Sequence, residues 1–201
     1  SWLATDRDGS VEVRALLAFG DQPRPEAAAA VQALKALGIR SVLISGDHQA
    51  AAMHLAHLIG IEATDVHAEV LPEQKAAVVQ ALVEKGPTAM VGDGVNDAPA
   101  LAAATVGFAM GSGTDVAMHA AGVTLMRSDP RLIADAIDIS RRTTRKIHQN
   151  LFWAFIYNLI GIPLAAAGLL NPVIAGAAMA FSSVSVVANT LLLRRWRPRA
   201  N

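Results

Sequence analysis

Gly92-Asp93-Gly94-Val95-Asn96-Asp97-Ala98-Pro99-Ala100-Leu101 is the stretch that decides the fold. An apolar run, Ala89-Met90-Val91, leads into two carboxylates and an amide set among glycines, and an alanine-rich segment follows. That order reads as a buried strand delivering acidic side chains at its C-terminal edge, then a turn and a helix start. Gly92 and Gly94 let the backbone approach a ligand closely or take a positive φ. Asp93 and Asp97 supply hard oxygen ligands of the kind Mg²⁺ takes beside phosphate and water. A plain strand-to-helix turn would also use Gly, Asn and Asp. The strand in front of this decamer favours a site over a turn.

Outward from the decamer, charge separates the chain into two parts. Lys+Arg and Asp+Glu number 17 each, so no global charge argues for nucleic acid as a partner. Between Lys146 and Arg194 there is no Asp, Glu, Lys or Arg, whereas everything before Lys146 has ordinary soluble composition. A soluble part is therefore followed by a membrane part. With no Cys there is neither a disulfide nor a thiolate metal ligand within the chain. The N-terminus lacks a basic-then-apolar signal segment, and Ser1 in place of Met reads as a start in mid-stream.

In the soluble part, strands are expected at Val11–Phe19, Ser41–Ile44, Thr88–Val91, Val106–Met110 and Gly122–Met126. Helices are expected from Glu26 to Leu37, from His48 to Ile59, from Pro72 to about Lys85 and from Thr114 to Ala121, with Gly38 and Gly60 as C-caps. Strands alternating with helices imply a parallel sheet covered on both faces, with ligands outside the strand C-termini. Ser45 follows one strand, Asp93 and Asp97 follow another, and Lys75 opens a helix between them. A hydroxyl, an ammonium and a carboxylate pair converging there suit phosphoryl transfer. Singly, Ser45 reads as a cap and Lys75 as a solvated helix lysine; their order and spacing point to a site. His54, His57, His67, His119 and His148 show no metal-ligand pattern.

Ser45-Gly46-Asp47, Pro72-Glu73-Gln74-Lys75 and Gly92 to Asp97 resemble the later motifs of the haloacid-dehalogenase-like phosphoryl-transfer fold, an α/β Rossmann-like parallel sheet. The full decamer, with Asp21-Gln22-Pro23-Arg24-Pro25-Glu26 upstream, resembles the phosphorylation domain of P-type ATPases. The resemblance implies that Ser45 contacts the phosphoryl group, with Gly46 and Asp47 beside it. It implies that Lys75 stabilises an aspartyl phosphate and that Asp93 binds Mg²⁺, with Asn96 and Asp97 in support. Asp21, Arg24 and Asp47 would lie near the hinge and the ATP-binding edge. Two departures stand out. His48 occupies the place of the family's Asn, and the Asp-Lys-Thr-Gly-Thr that carries the phosphorylated Asp occurs nowhere in the chain. The chain alone is therefore expected to lack the nucleophile and not to turn over ATP.

Pro130 to Lys146 reads as a helix ending in Arg141, Arg142, Arg145 and Lys146. From Ile147 to about Leu170 the chain is almost wholly apolar, long enough for a hydrocarbon core of about 30 Å. Asn171-Pro172 breaks it, and a second apolar stretch runs from Val173 to Leu193. Two antiparallel transmembrane helices are expected, with both basic outer ends in the cytoplasm. Tyr157 and Asn158 in the first, and Met179 and Ser183 in the second, are polar or soft groups within it. Asn158 and Ser183 sit about 18–20 Å from the turn at helical rise. On chemistry alone they suit an ion pathway or interhelical hydrogen bonding equally well, Ser182 and Ser185 included. Pro163 is a candidate bend.

Asn150 to Asn158, Ile162-Pro163-Leu164 and Met179 to Asn189 resemble the last two membrane helices of the copper(I)-transporting subclass of heavy-metal P-type ATPases. The resemblance implies a transported-metal site with contributions from Tyr157, Asn158, Met179 and Ser183, and a thioether is a soft ligand suited to Cu⁺. No carboxylate or lysine lies within the apolar stretches, unlike the zinc-type subclass. The domain layout that follows is 1–20, the end of a nucleotide domain; 21–128, the C-terminal part of a phosphorylation domain; 129–146, a basic linker helix; and 147–201, two transmembrane helices with a basic tail. The implied cofactors are ATP and Mg²⁺, with Cu⁺ as cargo. The implied partners are the N-terminal part of the same pump, a copper(I) donor and the lipid bilayer, and the protein would be multi-pass. The rivals are a membrane-anchored dehalogenase-like phosphatase, which needs a nucleophilic Asp not found before Ser45, and a truncated product that binds phosphate or a partner without catalysis.

Overall fold

Trp2–Arg7 (β1) and Ser10–Leu16 (β2) pair antiparallel, Trp2 opposite Leu16 and Arg7 opposite Ser10, with an irregularity between Leu3 and Ala4. The computed structural model describes residues 2–7, 10–16, 22–111, 113–169 and 171–198. Leu3, Val11 and Val13 are all exposed on this hairpin. A lone two-stranded ribbon is marginal in water, so these side chains call for cover. The strand expected over Val11–Phe19 is thus seen as far as Leu16, and its last residues lie outside the described ones. The partner strand β1 was not anticipated.

The helices and strands then alternate as expected: α1 (Ala27–Ala36), β3 (Leu43–Ile44), α2 (Gln49–Ile59), β4 (Val66–His67), α3 (Pro72–Val83), β5 (Ala89–Gly92), α4 (Ala98–Ala103), β6 (Val106–Met110), α5 (Asp115–Ala120) and β7 (Val123–Leu125). Among the described residues, β3 and β4 form a parallel pair and β5-β6-β7 a parallel three-stranded sheet. Strand β6 is covered on both faces, as parallel strands are. Phe108 and Met110 pack with Leu125 of β7 and Ile133, against Leu34 of α1. Ala109, between them in sequence, turns the other way to Leu101 of α4 and Ala117 of α5.

Arg131–Ala166 (α6) is one helix of 36 residues, about 54 Å at helical rise. The basic stretch at 141–146 therefore runs into the apolar stretch without a break, and the helix continues through Pro163. Its first turns carry buried Ile133, Ala134, Asp135 and Asp138, and further along Arg141 Nη1 donates to Leu37 O of the sheet domain at 2.9 Å. Gly168, at φ +71, takes the left-handed conformation that ends the helix. Pro172–Leu191 (α7) follows, with Asn171 Oδ1 accepting the Val173 N–H at 2.9 Å as its cap. The two helices are antiparallel neighbours. Lys146 Nζ donates to Asn189 Oδ1 at 2.6 Å, Asn189 Nδ2 to Asn150 Oδ1 at 2.8 Å and Asn150 Nδ2 to Thr190 Oγ1 at 2.9 Å. Interhelical bonds thus come from this end of the pair. Ser183 and Ser185 donate instead to carbonyls of their own helix, those of Met179 and Ser182.

Among the described residues one helix, over Ala175–Arg195, is long and apolar enough to cross a membrane, and none of it is buried. Both helices expose large apolar side chains, Phe155 of α6 at 71% and Phe181 of α7 at 68%. Large apolar side chains exposed in this number are a feature of surfaces that meet another protein or a membrane.

Candidate functional site

Two loops at strand C-termini and one helix start build the site. After β3, Ser45-Gly46-Asp47 is clamped from the far side by residues 67–70. The Ser45 N–H donates to His67 O at 2.9 Å, the Glu69 N–H to Asp47 O at 2.8 Å and the Val70 N–H to Ser45 O at 3.0 Å. Within the loop, Ser45 Oγ donates to Asp47 Oδ2 at 2.8 Å and accepts the Asp47 N–H at 3.1 Å. The hydroxyl read as a phosphate contact is thus held by its own turn. His48 takes the N-cap position of α2 in extended backbone, but its imidazole makes no cap bond.

The clamping segment runs directly into α3. Leu71 N–H donates to Gln74 Oε1 at 3.1 Å, and Pro72 occupies the first turn, where its missing N–H costs nothing. Lys75 is thereby placed one turn into the helix. Its Nζ donates to Asp97 Oδ1 at 2.8 Å, with the two side chains only 20% and 13% exposed.

Asp97 closes a short 3₁₀ turn, Val95–Asp97, that leads from β5 into α4. Its Oδ2 accepts the Gly94 N–H at 3.4 Å. Gly92 is needed for close approach: a Cβ there would lie 2.7 Å from the Asp97 Cβ. Neither Gly92 nor Gly94 has a positive φ, so close packing, not backbone handedness, is the reason for glycine at Gly92. Asp93 is exposed, and among the described residues its carboxylate makes no hydrogen bond or ion pair. Its carbonyl accepts the Thr114 N–H at 3.0 Å, while Thr114 Oγ1 caps α5 through the Ala117 N–H at 3.3 Å. A Cβ on Gly113 would stand 3.0 Å from the Asp93 carbonyl. The Gly113-Thr114 brace escaped the sequence reading, although Thr before an alanine-rich helical run is an N-cap signal. Asn96 is exposed beside these groups.

The other candidates lie apart. Arg24 Nη1 donates to Ser128 O at 3.1 Å, tying the start of α1 to the segment before α6. Asp21 lies outside the described residues. In the helix pair, Asn158 Nδ2 donates to Ala154 O at 2.8 Å and Tyr157 stacks at a tilt on Trp153, ring centres 6.4 Å apart. Met179 is 74% exposed. Asn158 and Ser183 are exposed as well, while Ala175, Ala178, Ser182, Ser185, Val186 and Asn189 are the half-buried residues of α7. Of the four candidates three are thus exposed, and Tyr157 is half-buried.

Two further ion pairs, Arg40–Asp65 and Arg131–Asp129, lie elsewhere in the chain. The Arg40 guanidinium, hydrogen-bonded to Asp65, holds that carboxyl below the usual carboxylate range against the opposing effect of burial. Arg131 does the same for Asp129.

A family profile described as haloacid dehalogenase-like hydrolase matches residues 3–105. Among curated proteins, the chain is 52% identical over 185 residues to a probable copper-importing P-type ATPase A of Enterococcus hirae, which covers 92% of this chain and 25% of that protein. It is 53% identical over 185 residues to a copper-exporting P-type ATPase of Bacillus subtilis, covering 92% and 23%. Among solved structures, it superposes on a zinc-transporting PIB-type ATPase in the E2.Pi state with a TM-score of 0.80 at 39% identity, covering 88% of this chain and 29% of that one. The chain spans about a quarter of the length of the curated relatives it matches.

Proposed function

Because the chain belongs to the haloacid dehalogenase-like hydrolases, we propose that it is the C-terminal portion of an ATP-driven copper(I)-exporting pump. The observation that carries this reading is the Lys75–Asp97 pair, set beside exposed Asp93 at the C-terminal edge of a parallel sheet. From that sheet domain one unbroken helix leads into the apolar pair. The sheet domain supplies the phosphoryl-stabilising groups, and α6 and α7 form a transmembrane hairpin with both outer ends in the cytoplasm.

The nucleophilic Asp comes from an upstream segment of the same protein. Among the described residues β3 pairs only with β4, and β5 only with β6. A further parallel strand could satisfy both open edges and would end between the Ser45 loop and Asp93, where an acyl phosphate would form. There the Ser45 hydroxyl and loop N–H groups hold phosphate oxygens. Lys75, kept in place by Asp97, neutralises charge at the transferred group.

The residues present fit Mg²⁺. A carboxylate that bonds none of the other described residues, beside an amide, is the donor set this ion takes together with phosphate and water. Asp93 would hold it, with Asn96 and Asp97 in support, and bound Mg²⁺ would spread the phosphoryl charge. In the membrane, Tyr157, Asn158, Met179 and Ser183 contribute to the path of Cu⁺, with earlier helices completing it. No acidic or lysine side chain lies between Lys146 and Arg194, which favours a soft monovalent cargo over zinc. ATP binding falls mainly to upstream residues, with Asp21, Arg24 and Asp47 at its edge. A copper(I) donor delivers the cargo from the cytoplasmic side.

The test is copper-stimulated phosphorylation from ATP in the full-length pump. Lys75→Ala and Asp93→Asn should each lower the phosphorylation or turnover rate by roughly 100-fold or more. Wild-type rates in both variants would overturn the reading.

A further inference from the structure

We infer that Glu69 is the positioning residue of the Ser45–His48 loop, acting as the helix cap that His48 does not provide; the inference rests on the reading of Ser45 as a phosphate-holding group. Helix α2 starts at Gln49 with N–H groups that need acceptors. His48 sits at the cap position with φ −65 and ψ 155 but offers no side-chain bond. The Gln49 N–H is instead accepted by Glu69 Oε1 at 3.4 Å, from the loop between β4 and α3. A carboxylate at that end also suits the helix dipole.

The backbone at Glu69 is unusual. Among the described residues it is the one non-glycine with a positive φ, at 57. Side chains other than Gly, Asn and Asp rarely take that conformation, and where they do, a local function is the first hypothesis. Here the turn lets consecutive N–H groups, those of Glu69 and Val70, reach the carbonyls of Asp47 and Ser45 at 2.8 and 3.0 Å. The same residue then sends its carboxylate to Gln49. Glu69 therefore touches the loop at its third residue through the backbone and at the start of α2 through the side chain. Glycine would relieve the backbone but lose the cap. Glutamate keeps the cap at the cost of strain.

The experiment uses the full-length pump with orthovanadate, a phosphate mimic, as inhibitor. Glu69→Ala and Glu69→Gly should both weaken vanadate inhibition by roughly 3- to 10-fold, the size of a lost helix cap. Glu69→Gln, which keeps an acceptor oxygen, should stay within about 2-fold of wild type. Glu69→Gly behaving like wild type would overturn the inference, because the carboxylate would then have no part. Amide exchange over residues 45–52 in the same variants reads the clamp apart from the chemistry. It should quicken there in the Ala and Gly variants and not elsewhere; unchanged exchange overturns the inference whatever vanadate does. Ser45→Ala separates the two levels. If it leaves vanadate inhibition intact, the phosphate role of Ser45 fails, and the exchange result still decides the positioning role of Glu69.

Discussion

Lys75 Nζ stands 2.8 Å from Asp97 Oδ1, and this bond joins the helix that follows the Ser45 clamp to the turn that follows Asp93. Both side chains are largely buried, so neither is a surface ornament. Lys75→Ala removes a charge-assisted bond and leaves the Asp97 carboxylate without its cation. A loss of about 1–3 kcal/mol is expected. Denaturant midpoints of the detergent-solubilised chain check it, and in a double-mutant cycle Asp97→Asn should recover part of the loss.

Gly92→Ala places a methyl 2.7 Å from the Asp97 Cβ and 2.9 Å from its Oδ2. Asp97 must shift and lose its alignment with Lys75, costing about 1–3 kcal/mol. Gly94→Ala has more room, its nearest neighbour being Asp97 Oδ2 at 3.7 Å. Thermal melts of the two variants should therefore differ, with Gly92→Ala the less stable.

Trp196, beyond the end of α7, donates its indole N–H to Asp138 Oδ2 at 2.9 Å, and Arg142 Nε reaches the same oxygen at 2.8 Å. The tail is thereby fixed to the buried start of α6. Trp196→Phe keeps an aromatic side chain but removes the donor, and about 1–2 kcal/mol of stability should go with it. Limited proteolysis should then cut the C-terminal tail faster.

Acid should weaken the fold through Asp65. Its native carboxyl is held below the usual carboxylate range, first by the Arg40 side-chain hydrogen bond. A lowered native pKa means the ionised form is favoured on folding. Its contribution is full above the usual range and is lost as pH falls through it toward the native value. Urea midpoints of wild type and Asp65→Asn, measured from neutral pH downward, should converge in that window.

Much of this was legible in the chain itself. The decamer, the alternation of strands and helices, the Gly60 cap and the Asn171-Pro172 break all rest on local chemistry, and each falls within a residue or two of its expected place. The strand read over Ser41–Ile44 is only Leu43–Ile44, because apolar runs do not say where pairing begins. Strand β1 was signalled only by the sequence Asp8-Gly9 between two β-prone runs, a dipeptide favoured in hairpin turns. Lys75 and Asp97 were expected at the same sheet edge, but the direct bond between them was not legible. Lys75 lies 22 residues away, and only tertiary packing brings the two together. Nor does periodicity reveal that Met179 and Ser183 are not among the half-buried residues of α7, since every face of that helix is apolar or small.

Metal-stimulated ATP hydrolysis by the full-length native protein in lipid vesicles, wild type beside Lys75→Ala, tests the central claim most directly. Copper(I) should stimulate hydrolysis, zinc should not, and Lys75→Ala should abolish the stimulation. Stimulation by zinc instead of copper(I), or full copper response in Lys75→Ala, would contradict it.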